Sequence, residues 1–205
     1  MFISIDGIDG AGKSTQLERL CGWLASKQYD VEFVRDPGST PAGEAIRGLL
    51  LDSDLEMHRR CEALLYMAAR SQLVEARIRP ALTQGKVVVS DRYLLANVVY
   101  QSVGGETQPD LLWQLGRIAT DGIYPDLTIL LDLTAEEAAS RRAGPADRME
   151  RRGIEYMQHV RDAFLAQLSR CPGNSMVVDA GRDVESVWTD VQRCVESILK
   201  TTEDS

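Results

Sequence analysis

The sequence predicts an α/β fold, a mostly parallel five-stranded sheet with helices on both faces, and three observations predict it. Short apolar runs of strand length alternate with longer segments of helical periodicity along the whole chain. Two of those runs, 87–89 and, with Thr128 as its one polar residue, 127–131, are almost wholly apolar, as strands covered on both faces are. The length of 205 residues suits one domain, 1–205, around one core.

The elements follow in order. Phe2–Asp6 is the first strand, and 13–27 is a helix with Leu17, Leu20 and Leu24 on one face. Val31–Arg35 is the second strand, and Pro41 opens a short helix at a position proline favours. Helical periodicity runs over 56–82 and stops before Gly85. A third strand spans 86–90, and Leu94–Ser102 is helical. Gly104 and Gly105 break that helix, and Thr107 is expected to cap the next, with Pro109 and Asp110 in its first turn. The fourth strand is 127–131. Thr134 and Glu137 have capping-box spacing, so a helix starts there, and Ala143-Gly144-Pro145 interrupts it. Helix resumes over 153–169, 175–179 is the last strand, and Asp183 caps a terminal helix to about Leu199. Residues 200–205 are a polar, frayed tail.

Composition narrows the function. No apolar run approaches the roughly 18 residues of a membrane span. The first residues lack a basic stretch and meet a glycine motif at once, so no signal peptide is expected and a cytoplasmic location is. Cys21, Cys61, Cys171 and Cys194 are far apart, which excludes a CxxC redox pair or zinc knuckle, and His58 and His159 have no ligand partner at metal spacing. The net charge of −8 does not suit a nucleic-acid surface, nor is a membrane partner expected. Positive charge for an anionic ligand must be local. It concentrates at Arg141, Arg142, Arg148, Arg151 and Arg152, against Asp147 and Glu150.

Gly7-Ile8-Asp9-Gly10-Ala11-Gly12-Lys13-Ser14 fits G-x-x-x-x-G-K-[ST], followed by Thr15. It follows a strand and opens a helix, the context this phosphate loop requires. Its glycines let successive N–H groups curl toward phosphate oxygens, and the helix N-terminus adds partial positive charge. Lys13 would reach the β- and γ-phosphates of ATP, and Ser14 would ligate Mg²⁺. The motif is specific for a nucleoside triphosphate and silent on its fate.

A second strand end carries Asp91-Arg92-Tyr93. Asp91 can hold Mg²⁺, directly or through water, and the planar fork of Arg92 can bridge two phosphates. The segment from Arg35 to Arg47 also leaves a strand end, and its arginines can meet an anion. On its own it reads equally as a loop before a helix.

These stretches, with Tyr66-Met67-Ala68-Ala69-Arg70 and Asp147-Arg148-Met149-Glu150, together resemble the thymidylate kinase family, in order and spacing from near residue 1 to about residue 165. The resemblance implies a three-layer P-loop NTPase fold with a lid at about 141–153. It implies phosphoryl transfer from ATP to dTMP with Mg²⁺, in a homodimer. Asp9 looks like the acceptor for the sugar 3′-hydroxyl. Tyr66 takes the place of an aromatic, usually Phe, that stacks on the base. Arg70 looks like the donor to the base, Asn97 and Gln101 like its other readers, and Tyr100 like the residue that disfavours a 2′-hydroxyl. Arg35 and Arg92 look like ligands of the acceptor phosphate, and Arg182, after the last strand, is expected to border the adenine. By pattern alone Tyr66 reads equally as core, and Asn97 and Gln101 as solvated helix residues. The family's usual residues differ at three points: Asp6 and Asp36 stand for Glu, and Ser39 for Gly.

Some family members carry a catalytic arginine in the phosphate loop and others in the lid. Position 10 is Gly, so Arg148 or a neighbour is the expected source. The acceptor is already an ionised phosphate, so no general base is needed, and catalysis reduces to positioning and charge neutralisation. A kinase of the same architecture acting on dUMP, CMP or a deoxynucleoside, or an ATPase switch, remains open. For the dimer, the helices at 56–82 and Leu94–Ser102 are apolar enough to offer a surface.

Overall fold

The computed structural model describes residues 1–52, 55–105, 107–141 and 153–203. Five strands, β1 (Phe2–Asp6), β2 (Val31–Arg35), β3 (Val87–Asp91), β4 (Leu127–Asp132) and β5 (Asn174–Asp179), form one sheet in the order β2-β3-β1-β4-β5. Every pairing is parallel, with Ile5 beside both Asp91 and Ile129. β1 is central and buried along its whole length. Alternate side chains go to opposite faces. Ile3, Ile5, Val87 and Val89 join one apolar cluster, and Phe2, Val34 and Val88 join the other.

The first face is covered mainly by α1 (Lys13–Ser26), α8 (Ile154–Leu168) and α9 (Val184–Glu203). Residues of α3 (Arg59–Leu73) and α6 (Pro109–Thr120) pack into the second cluster. α5 (Leu94–Ser102) contributes to both clusters. Among the described residues the remaining α-helices are α2 (Pro41–Arg47), α4 (Arg79–Thr83) and α7 (Ala135–Arg141), and a π-helical turn over Gly48–Asp52 follows α2. Chain order thus carries β1 past β3 to reach β2, and later returns to its other side. The crevice beyond the carboxyl end of β1 is where such a reversal creates a ligand site.

Several boundaries differ from expectation for visible reasons. The helix expected over 56–82 begins at Arg59, where the His58 imidazole accepts from the Arg60 N–H at 3.2 Å. It then widens into a π-helical turn over Val74–Ile78 before α4. Pro80 explains the widening, because its ring lacks an N–H and crowds the preceding turn. Thr107 does not cap α6. Gln108 holds that position without a side-chain bond, and Pro109 at the first helical residue removes one N–H that would need a partner. Thr134 accepts from the Glu137 N–H at 3.2 Å, but its hydroxyl, not its backbone, meets the Glu137 carboxylate. Asp183 caps α9 through the Ser186 N–H at 3.0 Å, and the helix runs on to Glu203 rather than ending near Leu199. Finally, α5 is buried over Leu94–Gln101 and so offers no outer surface.

Candidate active site

The phosphate loop leaves β1 and enters α1. Gly7 has φ 143°, and a Cβ there would lie 2.6 Å from the Leu131 carbonyl oxygen, so the loop can lie this close to β4 only as glycine. Gly10 has φ 91°, and a Cβ would lie 2.5 Å from the Ala138 carbonyl oxygen on α7. An arginine at position 10 would collide there, a physical counterpart to its absence. Ile8 and Ala11 are buried in the core, so what they offer a ligand is backbone.

Lys13 is folded back on the loop. Its Nζ donates to the Gly7 and Ile8 carbonyls at 3.1 and 3.0 Å and to Asp9 Oδ1 at 3.2 Å. Burial and the nearby Arg92 cation lower its pKa, against the pull of Asp9 and Asp91. Arg92 follows the last residue of β3 with φ 66°. Its Nη1 donates to the Gly7 carbonyl at 3.0 Å, its Nη2 meets Asp9 Oδ1 at 2.5 Å, and its guanidinium lies 5.1 Å from the Tyr100 ring centroid. Burial alone would raise the Asp9 carboxyl, but Arg92 and Lys13 outweigh it and hold Asp9 well below the ordinary range. Asp6, the last residue of β1, goes the other way. Its burial prevails over Arg92 and the Ser4 hydrogen bond and pushes it up to about 6.

The β2 end supplies a second set. Ser39 adopts φ 61°, a region glycine prefers, and its hydroxyl accepts from the Arg35 N–H at 2.8 Å. That bond offsets part of the cost of a residue other than glycine in this conformation. The Ser39 N–H in turn donates to Glu44 Oε1 at 2.7 Å, and Arg35 itself, half-exposed, lies 3.4 Å from the same carboxylate. The Asp36–Pro37 peptide is cis. Arg47, at the end of α2, donates to the Pro37 carbonyl at 3.0 Å.

Two cavities meet at these strand ends. One opens between the β2 and β3 ends, α3 and α5. Tyr66, Arg70, Asn97, Tyr100 and Gln101 wall it. Tyr66 is therefore not plain core. Asn97 and Gln101, at 4% and 1% exposure, are not solvated, and Asn97 Nδ2 and both Gln101 amide atoms have no hydrogen-bond partner among the described residues. The Tyr100 ring packs edge-on against Phe164 at 5.8 Å. The other cavity, larger and open to solvent, is lined by Gly10, Gly12, Lys13, Ser14 and Thr15 with Arg35, Asp91, Arg141 and Arg182. Asp9, Asp36, Arg47 and Arg92 line both.

Sequence reasoning left Arg47 without a defined role and Arg141 only as one of a basic run. Arg141 donates to the Ala180 and Gly181 carbonyls at 2.7 and 3.2 Å, tying α7 to the β5–α9 connection. Arg182 pairs with Asp190 and lies 3.6 Å from Asp179 Oδ2. Arg142, Arg148, Arg151, Arg152 and the rest of the expected lid at 142–152 lie outside the described residues. A cation fits the chemistry at Ser14 and Asp91: Ser14 is exposed at the start of α1, and Asp91 Oδ1 is buried without a partner among the described residues. His58 and His159 are exposed and line neither cavity. The arrangement can bring two anionic tails together over Arg47 and Arg92, with the Tyr66 recess on one side and the glycine-rich loop on the other.

The family model described as thymidylate kinase matches residues 5–191. A thymidylate kinase of Rhodopirellula baltica is 56% identical over 186 residues, 91% of this chain and 76% of that protein. One from Symbiobacterium thermophilum is 45% identical over 201 residues, covering 97% and 94%. One from Bifidobacterium longum subsp. infantis is 38% identical over 204 residues, covering 98% and 88%.

Proposed function

The chain belongs to the thymidylate kinase family, and from that membership we propose that it transfers the γ-phosphoryl group of ATP to dTMP, giving dTDP and ADP. The observation that carries this reading is the pair of cavities sharing Asp9, Asp36, Arg47 and Arg92. ATP takes the larger one, with its phosphates on the loop 7–15 and its adenine toward Arg182. The thymine base takes the smaller, stacked on Tyr66 and read by Arg70, Asn97 and Gln101. Tyr100 closes the sugar side against a 2′-hydroxyl, and Asp9 accepts from the 3′-hydroxyl.

The chemistry needs little from the protein beyond positioning and charge. The dTMP phosphate, with a second pKa of about 6, is its own nucleophile. Arg35, Arg47 and Arg92 hold it in line, and Lys13 turns from the loop carbonyls to the β- and γ-phosphate oxygens. Ser14 and Asp91 would hold Mg²⁺, which when bound offsets phosphate charge. Arg148 in the lid supplies the remaining cation over the transferring group, a role that Gly10 leaves open.

A single domain over 1–205, with a lid at about 141–153, is part of the proposal. So is a homodimer: Leu64 on α3 and Leu111 and Ile118 on α6 leave apolar surface exposed on two contacting helices. Cytoplasmic location fits four free cysteines in a chain acting on nucleotides. Among the described residues, no helix is long and apolar enough to cross a membrane.

The test is an ADP-release assay across the common monophosphates and deoxynucleosides. The expected result is release that depends on dTMP. Release independent of any acceptor, or driven best by another nucleotide, contradicts the reading.

A further inference from the structure

The loop that leaves β2 is held from several sides, and one of the groups that hold it is an anion. Thr40 opens α2: its hydroxyl accepts from the Gly43 N–H at 2.9 Å, and its carbonyl from the Glu44 N–H at 2.8 Å. Glu44 and Arg47 are three residues apart on this helix and so lie on the same side of it. Arg47 takes an acceptor of the loop, the Pro37 carbonyl, and Glu44 takes a donor, the Ser39 N–H, at 2.7 Å. Ser39 is pinned from its other side as well. Its carbonyl accepts from Arg77 Nη1 at 2.8 Å, and Arg77 is itself tied to Glu32 at 2.6 Å. A Cβ at position 38 would lie 2.6 Å from Glu44 Oε1, so Gly38 leaves the carboxylate its place. The Ser39 N–H, helped by Arg35 and Arg47, holds the Glu44 carboxyl below its ordinary range, so it is an anion at neutral pH.

Arg35 is bound more loosely. It reaches the same carboxylate through Nη2, 3.4 Å from each oxygen, and the two side chains are 43% and 47% exposed. A pair as long and as wet as this is weak. The carboxylate is thus the fixed partner and the guanidinium the movable one. Arg35 also lines the phosphate cavity, with Arg47 and Arg92.

We propose that Glu44 is a built-in anion that competes with the acceptor phosphate for Arg35. The proposal rests on the thymidylate reading and adds a residue that sets how tightly the phosphate end of the acceptor is held. In the empty site Arg35 rests on Glu44. A dianionic phosphate, which offers paired oxygens to the planar fork, draws the guanidinium across. Glu44 stays behind, because the Ser39 N–H keeps it there. When dTDP leaves, the same carboxylate takes the guanidinium back, and Arg35 regains its counter-charge. Part of the energy of phosphate binding is spent on breaking the internal pair, and dTDP leaves the more easily for it. Glu44 acts through Arg35, so it is a positioning residue. The base and sugar do not sense it.

The test is calorimetric binding of thymidine, dTMP and dTDP to the full chain and to Glu44→Gln, Arg35→Ala and the double variant, each checked by a circular-dichroism melt. Glu44→Gln keeps an oxygen for the Ser39 N–H and removes the charge. It is expected to tighten dTMP and dTDP about fivefold, the upper range for an exposed pair. Thymidine, with the same base and sugar and no phosphate, should bind as it does to the parent. With Arg35→Ala already in place, the same substitution should gain less than about twofold, because no guanidinium is left to compete for. Binding of dTMP that is unchanged or weaker in Glu44→Gln overturns the proposal. So does a full gain in the absence of Arg35, the mark of a general field, and so does an equal shift on thymidine, the mark of a reshaped loop. Glu44→Gln decides the sign even if Arg35→Ala fails to fold. A parent protein that binds neither thymidine nor dTMP overturns the thymidylate reading instead, and the two failures are distinct.

Discussion

The two cavities are built on opposite principles. Apart from the charged residues that both cavities share, the base cavity is walled by Tyr66, Asn97, Tyr100 and Gln101, and its own cation, Arg70, is already engaged with Asp36, Asn97 and Tyr93. In the phosphate cavity Lys13 and Arg92 share Asp9, Arg35 faces Glu44, and Arg182 pairs with Asp190. The first set is preformed for its ligand. The second is a set of cations neutralised within the protein, which in the proposed reaction would exchange carboxylates and carbonyls for phosphates. The base side should therefore govern which acceptor binds, and the phosphate side how fast it turns over.

The largest expected effect tests that division. Lys13→Ala should lower kcat by about 10³-fold, the scale of removing one group that stabilises transition-state charge. Affinity for dTMP should stay within about threefold, because the base recess is intact. Stopped-flow or quench kinetics with calorimetric binding of dTMP checks both. A Lys13→Ala protein that turns over normally removes the phosphate-loop role, and one that no longer binds dTMP breaks the division.

A smaller effect concerns stability. Asp6 lies under the phosphate cavity with its carboxyl pushed up to about 6 by burial. The fold thus favours the protonated acid. The stability linked to this group is full below about pH 4 and is lost as pH rises through about 6. Asp6→Asn, which mimics the neutral acid, should be more stable than the parent above pH 6. The gain should be on the order of 2–3 kcal/mol. The two should converge below pH 4. Urea midpoints of the ligand-free protein from pH 4 to 8 check it, and a difference independent of pH contradicts it.

What the sequence made legible follows from chain locality. The phosphate loop is contiguous, so Gly7 to Thr15 could be read whole. Asp91 and Arg92 were visible because they end an apolar run. Arg47 was not assigned a role because its place at the junction depends on α2 folding back over the β2 end. The link between Asp36, Arg70 and Asn97 joins the end of β2 to α3 and α5, and no spacing within one element encodes it. Thr107 misled because capping residues are common near helix starts, whereas Pro109 had already fixed the first turn. The apolar α5 resembled a surface for a partner, yet it is buried over Leu94–Gln101 within the subunit. The expected lid arginine, Arg148, falls outside the described residues.

The central claim, that two nucleotides meet tail to tail over Arg47 and Arg92, is tested most directly by a crystal structure with dTMP and a non-hydrolysable ATP analogue. The account predicts the base beside Tyr66 and Gln101, the acceptor phosphate on Arg92 and Arg47, and the γ-phosphate on Lys13 in line with it. A dTMP phosphate directed away from Lys13, or a base bound outside the Tyr66 recess, would contradict it.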